Sequence, residues 1–305
     1  RMNNVICAPV LVFAYNRPEH LGETLAALSQ NKEANMTDVI VYCDGPKCEE
    51  DLIKINQIRN ILNKEYIFRS LRKIFREQNS GLSASVIKGV SEQFLIHESL
   101  IILEDDLLVS RYFLQYMNHY LKIYKNDHQV GSIHGYVYPI KLLPKTFFIR
   151  GADCWGWAAW KRSWDDLESD GTKLLNKLTS RSLGFKFNLF GGYNYMGMLR
   201  NQVAERNDSW AIRWHASMFL KHKLTLYPGE SLVSNVGTDG SGSHFTSSDS
   251  SYDIKLENIH PKIQRVAIKE SLYATIMFSL FFYKRKLMLL LNLIYHFLLR
   301  SQKSF

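Results

Sequence analysis

A chain of 305 residues is long enough to bury one large core or two coupled lobes. Its 46% hydrophobic, 13% aromatic and 22% charged residues are those of an ordered globular protein and exclude a disordered one. A net charge of +9 and a pI near 9.2 point to an anionic partner: nucleic acid, a phosphorylated ligand or an acidic membrane surface.

The apolar run over residues 5–15 has the look of a signal h-region but lacks a basic flank and a small-residue cleavage site. Asn16-Arg17-Pro18-Glu19 follows it like a helix start, so secretion is not expected. Residues 8–15 read as a continuous apolar strand, and Asn16 as the cap of a helix with Glu19 three residues on. A second strand over 38–43 closes at Asp44-Gly45-Pro46, and a helix with apolar period follows over about 51–62. A weaker strand over 71–76 ends at Asn79-Ser80-Gly81, and 82–94 is helical. Residues 100–103 make a buried strand, and Ser110 caps an aromatic helix reaching about 124. Repeated β-α-β units with short loops predict a parallel sheet with helices on both faces. The cysteines Cys7, Cys43, Cys48 and Cys154 form no CxxC pair or zinc-like spacing and read as free thiols in a reducing compartment.

The fourth strand runs straight into Glu104-Asp105-Asp106. Three adjacent carboxylates at a sheet edge repel one another, and a divalent cation relieves that repulsion because hard cations prefer carboxylate oxygens. The plainer alternative is a solvated acidic turn. Asn16, Arg17, Asp44 and Asn79 also fall just past strand C-termini, the edge where open α/β sheets bind ligands. No GxGxxG or GxxxxGK[ST] occurs there, which leaves a nucleotide held by carboxylates and a metal.

The second half changes character. Gly151 to Trp164 is crowded with indoles, read either as core or as a sugar platform in which indole faces meet pyranose C–H faces. Trp155, Trp157, Trp210 and Arg213 are the candidates for such a platform. Asn207-Asp208-Ser209-Trp210 opens a helix. Residues 235–244 form a glycine-rich loop ending in His244, either a plain connector or, in an enzyme, a lid. In the tail, apolar residues 272–283 and 287–299 flank Lys284-Arg285-Lys286. Neither run reaches the roughly 20 residues of a spanning helix. Three successive cations at about 100° per residue cover too much circumference for one polar stripe, which predicts a break or kink there. The tail reads as an interfacial anchor for an anionic leaflet, or else as a helical pair packed on the main domain or on a second subunit.

Taken in order, Pro9-Val10-Leu11-Val12-Phe13-Ala14-Tyr15-Asn16-Arg17, the Asp44 turn, Glu104-Asp105-Asp106-Leu107, Gly156-Trp157, Asp208-Ser209-Trp210 and Gly242-Ser243-His244 form a recognisable set. The chain resembles GT-A-fold, nucleotide-sugar-dependent glycosyltransferases, and within them bacterial relatives of the β-1,2-N-acetylglucosaminyltransferase I family, over about residues 8–245. The resemblance implies an α/β, GT-A-like, mostly parallel Rossmann-type sheet flanked by helices. Residues 1–135 would bind the nucleotide sugar, 136–250 the acceptor, and 251–305 would be an amphipathic helical tail. It implies further that Arg17 and Asp44 hold the nucleotide of a UDP-sugar, Asp44 accepting from the uracil imide N–H. Glu104 and Asp105 would face ribose and sugar, with Asn16 and Asn79 beside them on the donor side. Asp106 would bind Mn²⁺ or Mg²⁺, Asp208 would be the general base, and His244 would close over the phosphates. The chain departs from the family at Tyr15-Asn16, where a cysteine-acid pair is usual, and at Ser209, where a second acid is common.

The chemistry asks for the same residue types. A departing nucleoside diphosphate gathers negative charge that a divalent ion and nearby cations stabilise. The acceptor hydroxyl needs a carboxylate to take its proton, and one base attacking in line inverts the anomeric centre. The expected reaction is transfer of a hexosyl or N-acetylhexosaminyl group to a lipid-linked glycan acceptor in bacterial surface polysaccharide or lipid-linked oligosaccharide assembly. The expected place is the cytoplasmic face of the cell membrane, contacted through residues 265–305. Paired carboxylates can also mean a glycosidase, but these acids cluster at one sheet edge as metal ligands do. Two rivals stand beside this reading: a sugar-phosphate nucleotidyltransferase, which needs a glycine-rich basic loop where Tyr15-Asn16-Arg17-Pro18 stands, and a non-catalytic membrane-docked sugar binder. Nucleic-acid binding is disfavoured because much of the basic excess lies in the apolar tail.

Overall fold

A computed structural model describes residues 7–237, 250–256, 260–261 and 263–302. The apolar run Val10–Ala14 (β1) is buried at every position, as a strand covered on both faces must be. Around it the first half alternates: α1 Pro18–Ser29, β2 Asp38–Cys43, α2 Glu49–Leu62, β3 Ser70–Phe75, α3 Leu82–Phe94 and β4 Ser99–Glu104. A short β5 (Leu107–Val109) and α4 (Phe113–Ile123) follow. The second half contributes β6 Val130–His134, β7 Thr146–Arg150, β8 Trp157–Trp160, α5 Lys161–Trp164, α6 Gly171–Ser180, α7 Gly184–Phe187, α8 Tyr195–Val203, α9 Trp210–Leu220, β9 Leu224–Pro228, β10 Val233–Asn235 and α10 Leu272–Gln302.

Eight strands form one sheet in the order β3-β2-β1-β4-β8-β6-β9-β7. The strands β3, β2, β1 and β4 are mutually parallel, and β6 pairs with β9 in parallel. Only β8 and β7 pair antiparallel to their neighbours. This is the expected α/β, mostly parallel sheet flanked by helices, and it runs unbroken through both halves of the chain. A second, two-stranded sheet pairs β5 with β10 and holds the chain just after the acid triplet against residues 233–235.

Local chemistry differs from expectation at two helices. Asn16 does not cap α1: Arg17 occupies the cap position without a side-chain bond, and Pro18, which has no N–H to satisfy, opens the first turn. The Asn16 amide donates instead to Asp51 Oδ1 at 2.9 Å, because that carboxylate gathers the donors at the start of α2. At α4 the orphan donors are met from outside the helix, Asn31 Oδ1 accepting from the Leu114 N–H at 2.9 Å.

The tail does not break at Lys284-Arg285-Lys286: α10 is one helix of 31 residues. The three cations are accommodated because they point different ways. Arg285 turns toward the domain, donating to Ser251 Oγ and lying over the Tyr252 ring, while Lys286 donates to the Gly191 carbonyl and Lys284 is exposed. The inner face of α10 buries Ala274, Phe278 and Phe282 against Phe147 and Tyr227. The chain leading into α10 is also strapped down rather than free: Tyr120 and Tyr124 bond the backbone of Gln264 and Val266, and Arg265 pairs with Asp127 at 2.9 Å. Residues 264–266 are therefore fixed to the body.

Candidate active site

The C-terminal ends of β1, β2 and β4 open into a cavity of about 370 Å³. Asn16 and Arg17 follow β1, Asp44 and Lys47 follow β2, and Glu104, Asp105 and Asp106 follow β4; Asn79, Gly81 and Ser85 close the side at the start of α3, with Trp155, Asn235 and Gly237 opposite. The volume lies within the usual 300–1,000 Å³ range of small-molecule sites. The sequence order of strands puts these residues far apart; the parallel register Val12↔Leu103 and Ala14↔Cys43 brings them together.

Arg17 is the hub. Its guanidinium bonds Asp105 with one arm and Asp106 Oδ2 with the other, the latter at 2.8 Å. Burial, and then the charges of Asp106 and Asp105, raise the Glu104 carboxyl above its ordinary range. Burial also raises Asp105, against the opposing pull of Arg17. A cation is thus already part of what makes the triplet tolerable. Gly237 lies directly on this cluster: a Cβ there would overlap Asp106 Oδ2 and come 3.1 Å from Arg17 Nη1.

Asp44 and Asn79 shape the wall. The buried Asp44 carboxylate accepts from the backbone N–H groups of Gly45, Ser80 and Gly81 at 2.9–3.1 Å. Asn79 donates to the Gly45 carbonyl at 2.8 Å. Each stitches the loop after β3 to the loop after β2, and the positive φ of 78° at Gly81 lets the chain turn into α3. The N-terminal end of α3 then faces the cavity, a favourable place for an anion.

A second network braces the rim. Tyr15 OH and Asn16 Nδ2 both donate to Asp51, and its carboxylate also accepts from the Lys47 N–H at 3.0 Å. These bonds hold the Asp51 carboxyl well below the ordinary carboxylate range, the Tyr15 bond contributing most. A depressed folded value supplies stability that is present above the ordinary value near pH 4 and is lost as pH falls through the folded value. Asp51→Asn is therefore expected to cost about 1–3 kcal/mol at pH 7. The difference in denaturation midpoint from wild type should shrink as pH is lowered below about 4, and a gap that is constant with pH would contradict the assignment.

The indoles divide. Trp155 lines the cavity, with its N–H backbone group donating to His134 Nε2 at 3.0 Å and its ring edge-on to Tyr136 and Tyr252. Trp157 and Trp210 do not form a sugar platform: they are buried and pack with Trp164 and Trp214 at ring separations of 5.2–5.8 Å between the sheet and α9. Four indoles in one cluster bury more apolar area in the core than they could offer to a ligand.

Asp208 stands at the rim. Its carboxylate is exposed, 3.7 Å from Arg213 Nη2, and Asp208 Oδ2 is 3.8 Å from where a Gly81 side chain would begin. Ser209 caps α9 by accepting from the Ile212 N–H, which fixes Asp208 just outside the helix. Arg213 lies behind it, bonded to Ser83 Oγ at 2.6 Å and to the Ser169 carbonyl. Arg213 is thus a brace between α9 and α3 rather than a cavity wall. His244 lies outside the described residues.

Lys47, Ser85 and Gly237 line the cavity without having been singled out by sequence. Lys47 carried a usable signal, a cation just past the Asp44-Gly45-Pro46 turn, and Gly237 sat within the glycine-rich loop. The four cysteines are free, and burial raises the thiols of Cys7, Cys43 and Cys154, Cys43 to about 12, so these three are not thiolates at neutral pH.

No protein-family model matches the chain, and no curated protein matches it. Among solved structures it is similar to the mannosyltransferase PcManGT from Pyrobaculum calidifontis in complex with GDP-Man and Mn²⁺, at 16% identity and a TM-score of 0.32 over 43% of this chain and 36% of that one. It is similar also to S. aureus TarS 1-349, at 15% identity and a TM-score of 0.36 over 56% of this chain and 54% of that one. The same TarS segment in complex with UDP gives 19% identity and a TM-score of 0.31, over 46% and 40% of the two chains. This chain therefore covers less than two thirds of each. Likeness at that level leaves the activity to be read from the site.

Proposed function

We propose that the protein is an inverting glycosyltransferase that moves a sugar from a nucleotide donor, a UDP-sugar, to a hydroxyl of a glycan acceptor. The observation that carries this reading is the convergence on one cavity of Glu104, Asp105 and Asp106, the bridging Arg17, and the exposed Asp208 at the rim. An acid cluster with its own cation suits a ligand bearing phosphates, and a separate, solvent-facing carboxylate suits proton removal.

The donor set fits a divalent ion of a particular kind. Among the described residues no group of three or more His, Cys, Asp or Glu is arranged to cage a metal. One or two carboxylates plus substrate phosphates is how Mg²⁺ is usually held, and Mn²⁺ accepts the same oxygen ligands. Asp106 would hold the ion. Bound there, it would neutralise charge developing on the diphosphate.

The chain's own residues do the rest. Arg17 releases Asp106 and turns to the diphosphate, joined by Lys47 from the β2 side. Asp44 and Asn79 keep the loop at the start of α3 open to the base and ribose. Glu104 and Asp105 meet donor hydroxyls. Trp155 offers its face to the sugar or acceptor. Asp208 takes the acceptor's proton as the hydroxyl attacks the anomeric carbon from the side opposite the leaving diphosphate.

Calorimetry with UDP tests the reading. UDP is expected to bind, and to bind more tightly when Mn²⁺ is present. A panel of nucleotide sugars would then show donor hydrolysis with the matching sugar. Sugar binding without any UDP affinity would establish the non-catalytic binder instead, and formation of nucleotide sugar from a nucleoside triphosphate would establish the nucleotidyltransferase.

A further inference from the structure

The outward face of α10 is as apolar as its inward one. Leu272, Ile276, Leu287, Leu290 and Ile294 recur at helical spacing on the side away from the domain, each between 43% and 60% exposed, and Tyr283 between them reaches back to donate to the Phe190 carbonyl. At 1.5 Å per residue this stripe is about 33 Å long. A soluble helix presents polar residues there. Taking Arg285 as the direction of the domain, Lys284 and Lys286 lie about 100° to either side, so they border the stripe along both edges. Two protrusions from elsewhere in the chain extend the patch. Leu142, 85% exposed, sits where Tyr273 OH bonds its carbonyl, and Phe185, 67% exposed, flanks Gly191 beside Tyr283.

We propose that this face, α10 with Leu142 and Phe185, docks the protein in the plane of an anionic lipid leaflet. The occupant is lipid rather than protein for two reasons. Lys284 is exposed, and Lys286 is exposed too although it donates to the Gly191 carbonyl, so both stand where headgroup phosphates lie when the stripe is sunk into the acyl boundary. Residues 287–291 are consecutive, apolar and all at least half exposed, so a full turn of the helix is greasy on every side, which a single partner helix cannot cover. This goes beyond the transfer reaction and does not rest on it: binding is measured with no nucleotide present.

The full chain is mixed with vesicles of neutral phosphatidylcholine alone or with one third anionic phosphatidylglycerol, and sedimented. The protein should pellet with the anionic vesicles, and added salt should release much of it. The pair Ile276→Glu and Leu287→Glu should lower vesicle partition about tenfold or more. Because that pair changes a helix docked on the core, Leu142→Glu with Phe185→Glu, outside the helix, gives the second test and should lower partition several-fold. UDP affinity and melting temperature should be unchanged in the latter pair, which separates this surface from the cavity. Equal pelleting of wild type and both variants overturns the proposal, as does failure of the wild type to pellet. So does a wild-type dimer, by sedimentation velocity, that Leu287→Glu converts to monomer without vesicle binding, since the face would then join two copies of the chain.

Discussion

Asp208→Asn is expected to lower sugar transfer by about 10²- to 10⁴-fold while leaving UDP affinity nearly unchanged, the cost of losing a general base. The substitution is close to isosteric. Asparagine keeps an oxygen toward Arg213, 3.7 Å away, and leaves the Ser209 cap of α9 untouched, so the helix start and the brace to Ser83 survive. What disappears is the negative charge that faces Arg213 and, with it, the ability to accept a proton. Initial rates with saturating donor, beside calorimetry for UDP, separate the two. A variant that turns over at near wild-type rate moves the base to another carboxylate, and one that also loses UDP shows that Asp208 serves the donor.

Asp106→Ala is expected to abolish the Mn²⁺-dependent part of UDP binding, a loss of at least about 100-fold, since even partners one shell removed from a metal cost 10- to 100-fold. The same variant should lose any rise in melting temperature caused by Mn²⁺ with UDP, a readout that needs no turnover. Gly237→Ala is the sharper companion. It removes no ligand, yet its Cβ would occupy the space of Asp106 Oδ2 and crowd Arg17 Nη1. It should reproduce most of the binding loss with the fold intact. If EDTA leaves wild-type UDP binding unaltered, or if Gly237→Ala binds like wild type, the triplet is not where the diphosphate sits.

Much of the cavity lining was legible because strand ends announce themselves. Continuous apolar runs followed by Asn16-Arg17, Asp44-Gly45-Pro46, Asn79-Ser80-Gly81 and Glu104-Asp105-Asp106 mark four C-termini, and a parallel sheet lines such ends up along one edge. The start of α9 was legible for a similar reason: Ser209 before an apolar period is a cap with a mechanism. Other features needed tertiary context. Nothing local to Trp157 or Trp210 distinguishes a sugar platform from a core, since an indole serves both; what buries them is α9 folding back over the sheet. Asn16 looked like a cap, but Asp51, 35 residues later, supplies a stronger partner. The cation triplet in the tail suggested a break because sequence shows only circumference. Whether each direction meets solvent or a carbonyl, as at Lys286 and Gly191, depends on the surface behind it.

The position of β8 has a consequence for how this protein can be made and taken apart. Residues 157–160 enter between β4 and β6, so the strand that carries the acid triplet is completed by chain from the other half of the sequence. Before β8 arrives, β4 shows a bare hydrogen-bonding edge of apolar residues, the kind of edge that recruits other chains. A fragment ending near residue 135 would keep every cavity residue up to Asp106 yet lack the strand that seals them. Ribosome-bound chains meet the same condition during synthesis, and the wait between β4 and β8 is the interval in which a chaperone has something to hold.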